Sequence, residues 1–116
     1  MIYQEIPLVD RKRIDELSLM DDDGSFLKEL VDLFAHDSEL TLNDLHDALR
    51  GGDLVHVKAI AHRLKGSALS IGANRLAALA GDIELEPQLD LLHEAASKLS
   101  PLRNETISEL QQLHAH

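Results

Sequence analysis

Apolar residues recur at steps of three and four positions along most of this 116-residue chain, and that spacing limits the fold more than any other feature. The clearest run lies between positions 27 and 49, with one polar gap after position 34, and it would line one side of a long helix. Its apolar positions are Leu27, Leu30, Val31, Phe34, Leu42, Leu45 and Leu49. Aromatic residues make up only 3% of the chain, and leucine and alanine are abundant, which favours helices over a sheet.

Polar residues and glycines between the apolar segments predict where the helices begin and end. Asp10 is placed to cap a short helix that ends near Leu17. Ser25 is a good N-cap for the long helix, and the two glycines at positions 51 and 52 would end it. Asp53 then caps a third helix.

The third and fourth helices follow the same pattern. Gly72 would close the third helix, and Asn74 would cap a fourth that runs to about Ile83. Their expected core positions are Leu54, Val57, Ala61, Leu64, Ala68 and Ile71 on the third helix, and Leu76, Leu79, Ala80 and Ile83 on the fourth.

A last helical stretch covers residues 88–113, and Pro101 interrupts it. Ser100 and Pro101 are typical of an N-cap and a first helical residue, so this stretch should be kinked or split. Short connections between amphipathic segments predict an all-α, antiparallel up-and-down four-helix bundle. It would have a short extra N-terminal helix and a kinked or split C-terminal helix, in one domain over residues 1–116.

Charge and composition exclude several classes of partner, covalent cross-link and membrane segment. The chain has 21 acidic against 11 basic residues, a formal net charge of -10, which would repel nucleic acid and an anionic membrane surface. It has no cysteine, so disulfides and thiolate metal sites are excluded. No apolar run is long enough for a signal peptide or a membrane span. We expect a cytoplasmic monomer with no direct membrane contact.

The segment with the clearest chemical potential lies in the third helix. His62 falls on the side opposite the core position Leu64, while Lys65 and Gly66, three and four residues on, share its side. A neutral imidazole is a nucleophile at neutral pH. Lys65 and, one turn earlier, Lys58 are cations within reach of a negatively charged group on that ring.

Gly66 is an unusual choice, because a glycine inside a helix costs about 1 kcal/mol relative to alanine. One interpretation is that another molecule approaches closely there, beside His62; another is that the glycine permits close packing of helices. Ser67 adds a hydroxyl donor, although its angle places it nearer the bundle interior. A lone histidine on a helix is usually solvated and inert, so the spacing alone leaves this open.

A docking surface would have to surround His62. Val55, Lys58, Ala59 and Leu69 share its side of the helix. Exposed Val55 and Leu69 would suit an interface, and partial burial of both against a neighbouring helix is the equal alternative.

The string from His62 to Ala68, His-Arg-Leu-Lys-Gly-Ser-Ala, resembles the signature of histidine-containing phosphotransfer (HPt) domains of phosphorelays. The Gly52-Asp53 pair before it also matches, as do Ile71-Gly72-Ala73 and Ile83-Glu84 after it. The upstream residues Phe26, Leu27, Leu30, Val31 and Phe34 match as well. The resemblance covers roughly Asp10 to Glu84, and the C-terminal region is similar only in being helical.

This resemblance implies a four-helix bundle that accepts and donates a phosphoryl group on His62. Lys65 corresponds to the residue that steadies the phosphate, with Ser67 nearby, and Gly66 to the residue that keeps space open. Glu84 corresponds approximately to a residue, glutamine in some members, that orients the imidazole, and an ordinary surface charge is the equal alternative. The implied partners are an aspartate of a response-regulator receiver domain, which brings Mg²⁺, and a hybrid sensor histidine kinase. The chain would be a phosphocarrier with no intrinsic cofactor and no ATP site, rather than an enzyme.

Two other functions are compatible with the sequence. The chain could be a helical interaction module whose histidine is never phosphorylated. It could also be a metal-binding bundle, since Asp53 with His56 and Asp90 with His93 are i, i+3 pairs. Both aspartates lie at or near helix starts, where capping explains them better.

Overall fold

The computed structural model describes residues 2–20 and 22–114, and over these residues it contains helices and no strand. A short 3-10 helix spans Tyr3–Glu5. Six α-helices follow in chain order: α1 Arg11–Ser18, α2 Ser25–Arg50, α3 Leu54–Ser70, α4 Asn74–Leu85, α5 Leu89–Ser97 and α6 Leu99–His114.

Four of these helices form a closed ring in which α2 packs on α3, α3 on α4, α4 on α6 and α6 on α2. The short α1 packs against α2, and α5 lies beside α4 and α6. The predicted core positions on α2, α3 and α4 are buried, except Leu30 and Leu54, which are half-buried. The predicted all-α bundle, with its extra N-terminal helix and split C-terminal helix, is confirmed.

Two of the predicted helix caps are confirmed. The Asp10 carboxylate accepts a hydrogen bond from the backbone N–H of Arg13 at 3.3 Å. The Asp53 carboxylate accepts one from the backbone N–H of His56 at 3.1 Å. Each bond satisfies an N–H group that the first turn of its helix leaves without an intrahelical partner.

The caps predicted at Ser25 and Asn74 are wrong by one residue. Gly24 is the N-cap of α2, with φ 74°, and Ser25 is already the first helical residue. The buried Ala73 precedes α4 and Asn74 is its first residue. A glycine tolerates the left-handed backbone that the entry to α2 requires, so the chain turns there and not at the serine.

The C-terminal helical stretch is split two residues earlier than predicted. Lys98 is the C-cap of α5, which ends at Ser97, and α6 starts at Leu99, so Ser100 lies inside the helix and Pro101 is its third residue. Proline fits there because a residue in the first helical turn has no intrahelical acceptor for its N–H to lose.

The polar gap in the α2 pattern is filled by Ser38, which is buried. Arg103 of α6 donates from Nε to the Ser38 hydroxyl at 3.0 Å and from Nη2 to the backbone carbonyl of Ala35. The Ser38 hydroxyl in turn donates to the same carbonyl at 3.3 Å. These contacts satisfy the buried hydroxyl and join α2 to α6.

The N-terminal segment holds the turn between α3 and α4. The Asp10 backbone N–H donates to the carbonyl of Gly72 at 2.7 Å, and Arg13 Nε donates to the carbonyl of Ser70 at 3.0 Å. Gly72 has φ 77°, which ends α3 as predicted. The tight turn that follows packs α4 closely along α3, which brings the end of α4 beside the middle of α3.

Candidate functional site

The two sides of α3 differ sharply in exposure. Val57, Ile60, Ala61, Leu64 and Ala68 are at most 1% exposed and form the inner side. On the outer side, the His62 side chain is 65% exposed, so its ring projects into solvent. The predicted placement of His62 is therefore what the structure shows.

Lys65 and Glu84 complete a three-residue network with His62. His62 Nδ1 lies 2.6 Å from Glu84 Oε2, and Lys65 Nζ lies 2.8 Å from Glu84 Oε1. The Glu84 side chain is 24% exposed and the Lys65 side chain is 35% exposed, so most of each side chain is shielded from water. The structure brings Glu84 into contact with His62, 22 positions earlier in the sequence, and with Lys65, 19 positions earlier.

The hydrogen bond to Glu84 defines which ring nitrogen of His62 carries the proton. The hydrogen bond from Lys65 is the main cause that lowers the pKa of Glu84, and the hydrogen bond from His62 lowers it further. An ionised carboxylate only accepts hydrogen bonds, so Nδ1 of His62 must be the donor. In the neutral ring the lone pair then lies on Nε2, the nitrogen on the other side of the ring from Glu84.

Gly66 faces open space. A Cβ atom built at this glycine would have no neighbouring atom within 4 Å, apart from the local helix backbone. Close packing between helices of this chain therefore does not explain the glycine. Its missing side chain leaves a gap on the outer side of α3, one turn after His62.

A second glycine, Gly81 on α4, was not recognised in the sequence. A Cβ atom at Gly81 would meet Lys65 Cδ at 3.4 Å. The glycine thus leaves the room in which the Lys65 side chain crosses α4 to reach Glu84. Only the distance across the two helices shows this, and no spacing rule within one helix would have predicted it.

The structure places Ser67 away from the His62 network. Ser67 follows His62 by five positions, about 140° around the helix. It is exposed, which corrects the expectation that it lies nearer the interior, and it lines a groove toward α2 together with Leu33 and Asp37. Its backbone carbonyl accepts a hydrogen bond from the Ser70 hydroxyl at 2.7 Å.

The residues expected around a docking surface are mostly open. Val55 is 83% exposed and Leu69 is 52% exposed, and Ala59 is exposed as well. Lys58 is half-buried, and its ammonium donates to the backbone carbonyl of Glu86 at 2.7 Å. Lys58 therefore ties α3 to the end of α4, and the exposed alternative holds for Val55 and Leu69.

Neither Asp-x-x-His pair gains further metal ligands. Over residues 2–20 and 22–113, no group of three or more histidine, aspartate or glutamate side chains is arranged to hold a metal ion. Asp53 is engaged as the α3 cap, and Asp90 lies in the first turn of α5.

None of the helices described is long and apolar enough to cross a membrane.

Comparisons with known proteins point to one family. The family model of the Hpt domain matches residues 29–116, so the match includes the C-terminal region and starts later than Asp10. A curated relative, multistep phosphorelay regulator 1 of Schizosaccharomyces pombe, is 34% identical over 77 residues. That alignment covers 65% of this chain, and the chain spans about a quarter, 26%, of the relative's length.

Solved structures give the same result. The crystal structure of histidine-containing phosphotransfer protein B from Pseudomonas aeruginosa PAO1 matches with a TM-score of 0.82 and 25% identity, covering 96% of this chain and 97% of that one. A second structure, of a protein from rice, matches with a TM-score of 0.71 and 27% identity, covering 91% and 85%.

Proposed function

The chain belongs to the Hpt domain family, and on that premise we propose that it carries a phosphoryl group on His62 in a phosphorelay. One observation carries the assignment to this residue. The His62 ring is exposed on the outer side of α3, with Nδ1 held by Glu84 and Nε2 left with its lone pair. A nucleophile so oriented needs no further activating base.

The chemistry follows from that orientation. Nε2 of His62 attacks the phosphorus of an aspartyl phosphate on a receiver domain. The new P–N bond forms as the P–O bond breaks, and the electron pair of that bond returns to the aspartate carboxylate. Transfer in the opposite direction reverses these changes. A Mg²⁺ ion on the receiver would neutralise phosphoryl charge, and this chain contributes mainly position.

Lys65 and Gly66 complete the environment of the phosphoryl group. The Lys65 ammonium is bound to Glu84, one helical turn from His62, and its flexible stem lets it also meet a phosphoryl oxygen. The open space above Gly66 leaves room for that group and for the receiver that delivers it.

The partners that fit this site are a receiver domain and a hybrid sensor histidine kinase. Val55, Ala59 and Leu69 form the exposed apolar surface next to His62, which suits docking of a receiver. The domain would act as a monomeric carrier without an ATP site of its own. We propose that this domain acts in the cytoplasm, where ATP is available to the kinase that starts such a relay.

The test uses a receiver domain labelled on its aspartate with radioactive phosphate. The wild-type chain should take up label, and His62→Gln should take up none while retaining its helical circular dichroism. His56→Gln is the matched control, because His56 is an exposed histidine on the same helix, and it should transfer normally. Label uptake by His62→Gln at the wild-type rate would refute the site. Receiver binding without any label uptake by the wild-type chain would instead support an interaction module.

A further inference from the structure

Glu84 uses both of its carboxylate oxygens, one on the nucleophile and one on the cation. Oε2 accepts from His62 Nδ1 at 2.6 Å and Oε1 accepts from Lys65 Nζ at 2.8 Å. The bond to the ring is slightly shorter than is usual for a hydrogen bond from nitrogen to oxygen, the direction expected when the acceptor is charged. The ring proton on Nδ1 is therefore held by a carboxylate that a lysine keeps in place.

We propose that Glu84 retains the Nδ1 proton after His62 is phosphorylated, and that this keeps the phosphohistidine able to donate its phosphoryl group at neutral and mildly alkaline pH. The inference rests on the proposed function. It goes beyond it by assigning to one carboxylate the pH range over which the domain can act as a donor.

The electron balance of the donor step explains why the proton matters. Phosphorylation of Nε2 while Nδ1 keeps its proton makes the ring an imidazolium. When the P–N bond breaks toward a receiver aspartate, the electron pair returns to Nε2 and the leaving group is a neutral imidazole. Loss of the Nδ1 proton to solvent would make the leaving group an imidazolate anion, a far stronger base that leaves poorly.

A carboxylate retains this proton better than an amide would. The amide oxygen of a glutamine also accepts a hydrogen bond, so it can orient the ring, but it carries no charge to offset the imidazolium. Hydrogen bonds between charged groups are roughly twice as strong as neutral ones. The Lys65 ammonium supports this role, because its contact holds the pKa of Glu84 below the usual range and so keeps the carboxylate ionised.

Other charged groups near the ring do not duplicate Glu84. On α3 itself the neighbours are cations: Arg63 follows His62, and Lys58 is bound to the Glu86 carbonyl. On the side of α2, Asp44 lines a groove with Arg63 and Ser67, and His62 does not line that groove. The Glu86 carboxylate accepts from the backbone N–H of Gln88 at 3.0 Å, so it belongs to the turn after α4.

The experiment compares the wild-type chain with Glu84→Gln, using Glu86→Gln as the matched control that removes the same charge nearby. Each protein is phosphorylated with phosphoramidate, and the ³¹P resonance of its phosphohistidine is followed as pH rises. The pH at the midpoint of this phosphohistidine titration should be lower in Glu84→Gln than in wild type by about one unit or more. One unit is a tenfold change in proton affinity. The rate of transfer to an unphosphorylated receiver should fall at the correspondingly lower pH.

The midpoint of Glu86→Gln should stay close to that of wild type, because its Glu84 still contacts the His62 ring. If Glu84→Gln and wild type share one midpoint and one pH profile of transfer, the inference is wrong while the proposed function stands. If Glu86→Gln shifts the midpoint as far as Glu84→Gln does, general charge and not the contact is responsible, and the inference is also wrong. Failure of the wild-type chain to form any phosphohistidine would refute both proposals.

Discussion

The inner and outer sides of α3 belong to the same 17-residue helix but are under different physical constraints. The inner side is a continuous apolar stripe whose residues are at most 1% exposed. The outer side exposes the His62 ring and leaves the space above Gly66 empty. Packing determines the inner side, whereas the outer side includes residues, such as a glycine inside a helix, that reduce helix stability. Substitutions on the two sides should therefore separate stability from phosphotransfer.

The largest change in stability is expected from the inner side. Leu64→Ala removes a side chain that is 1% exposed, so it should lower the free energy of unfolding by about 2–5 kcal/mol. Val55→Ala, at an 83% exposed position of the same helix, should change it by less than about 0.5 kcal/mol. Urea unfolding followed by circular dichroism measures both. Equal losses for the two variants would contradict the division of the helix.

A smaller loss is expected at Gly72, beyond the end of α3. Its φ of 77° is unfavourable for other residues, and an added Cβ would lie 3.2 Å from both the Asp10 carbonyl oxygen and Arg13 Cβ. Gly72→Ala should therefore lower the unfolding free energy by about 1–2 kcal/mol. In folded protein, the transfer rate should stay near wild type, because His62 lies more than two turns away. An unfolding free energy equal to that of wild type would contradict this expectation. It would mean that Asp10 and Arg13 can move aside at no cost.

Gly66 should respond in the opposite direction. Gly66→Ala is expected to raise the unfolding free energy by up to about 1 kcal/mol, since alanine favours the helix and no neighbour crowds its methyl group. Gly66→Gln should be at least as stable as wild type, but it should slow transfer at least about tenfold, because its side chain occupies the approach to His62. Undiminished transfer in Gly66→Gln would remove the proposed reason for the glycine.

The smallest stability change is expected at Lys65. Its ion pair with Glu84 is partly exposed, so Lys65→Ala should alter the unfolding free energy by less than about 1 kcal/mol. Transfer should nevertheless slow about tenfold, because a cation near the phosphoryl group is lost. Lys28→Ala is the matched control, since Lys28 pairs with Asp32 at 3.0 Å on α2. Both variants transferring at the wild-type rate would show that Lys65 has no role.

Much of this architecture could be predicted from the sequence, because it depends on local rules. The three- and four-residue spacing located the buried side of α3, and the same rotation placed His62, Lys65 and Gly66 on the other side. Asp10 and Asp53 cap their helices as side-chain preferences predict. Resemblance to the family then indicated the chemistry, which spacing alone had left open.

Contacts between distant segments could not be predicted in this way. The buried Ser38 is explained by Arg103, 65 residues later, and Gly81 by the Lys65 side chain that crosses it. Lys58 was expected on the docking surface, yet it binds the Glu86 carbonyl. In each case the deciding quantity is a distance between helices, which the pattern within a single helix does not contain.

The proposed phosphotransfer depends most on which atom receives the phosphoryl group. After incubation with a phosphorylated receiver, peptide mapping under alkaline conditions should find phosphate on His62 and on none of the chain's other six histidines. Coupling between ³¹P and ¹⁵N of the labelled imidazole should place it on Nε2, the nitrogen that Glu84 leaves free. Phosphate on a different histidine, or on Nδ1 of His62, would contradict the account.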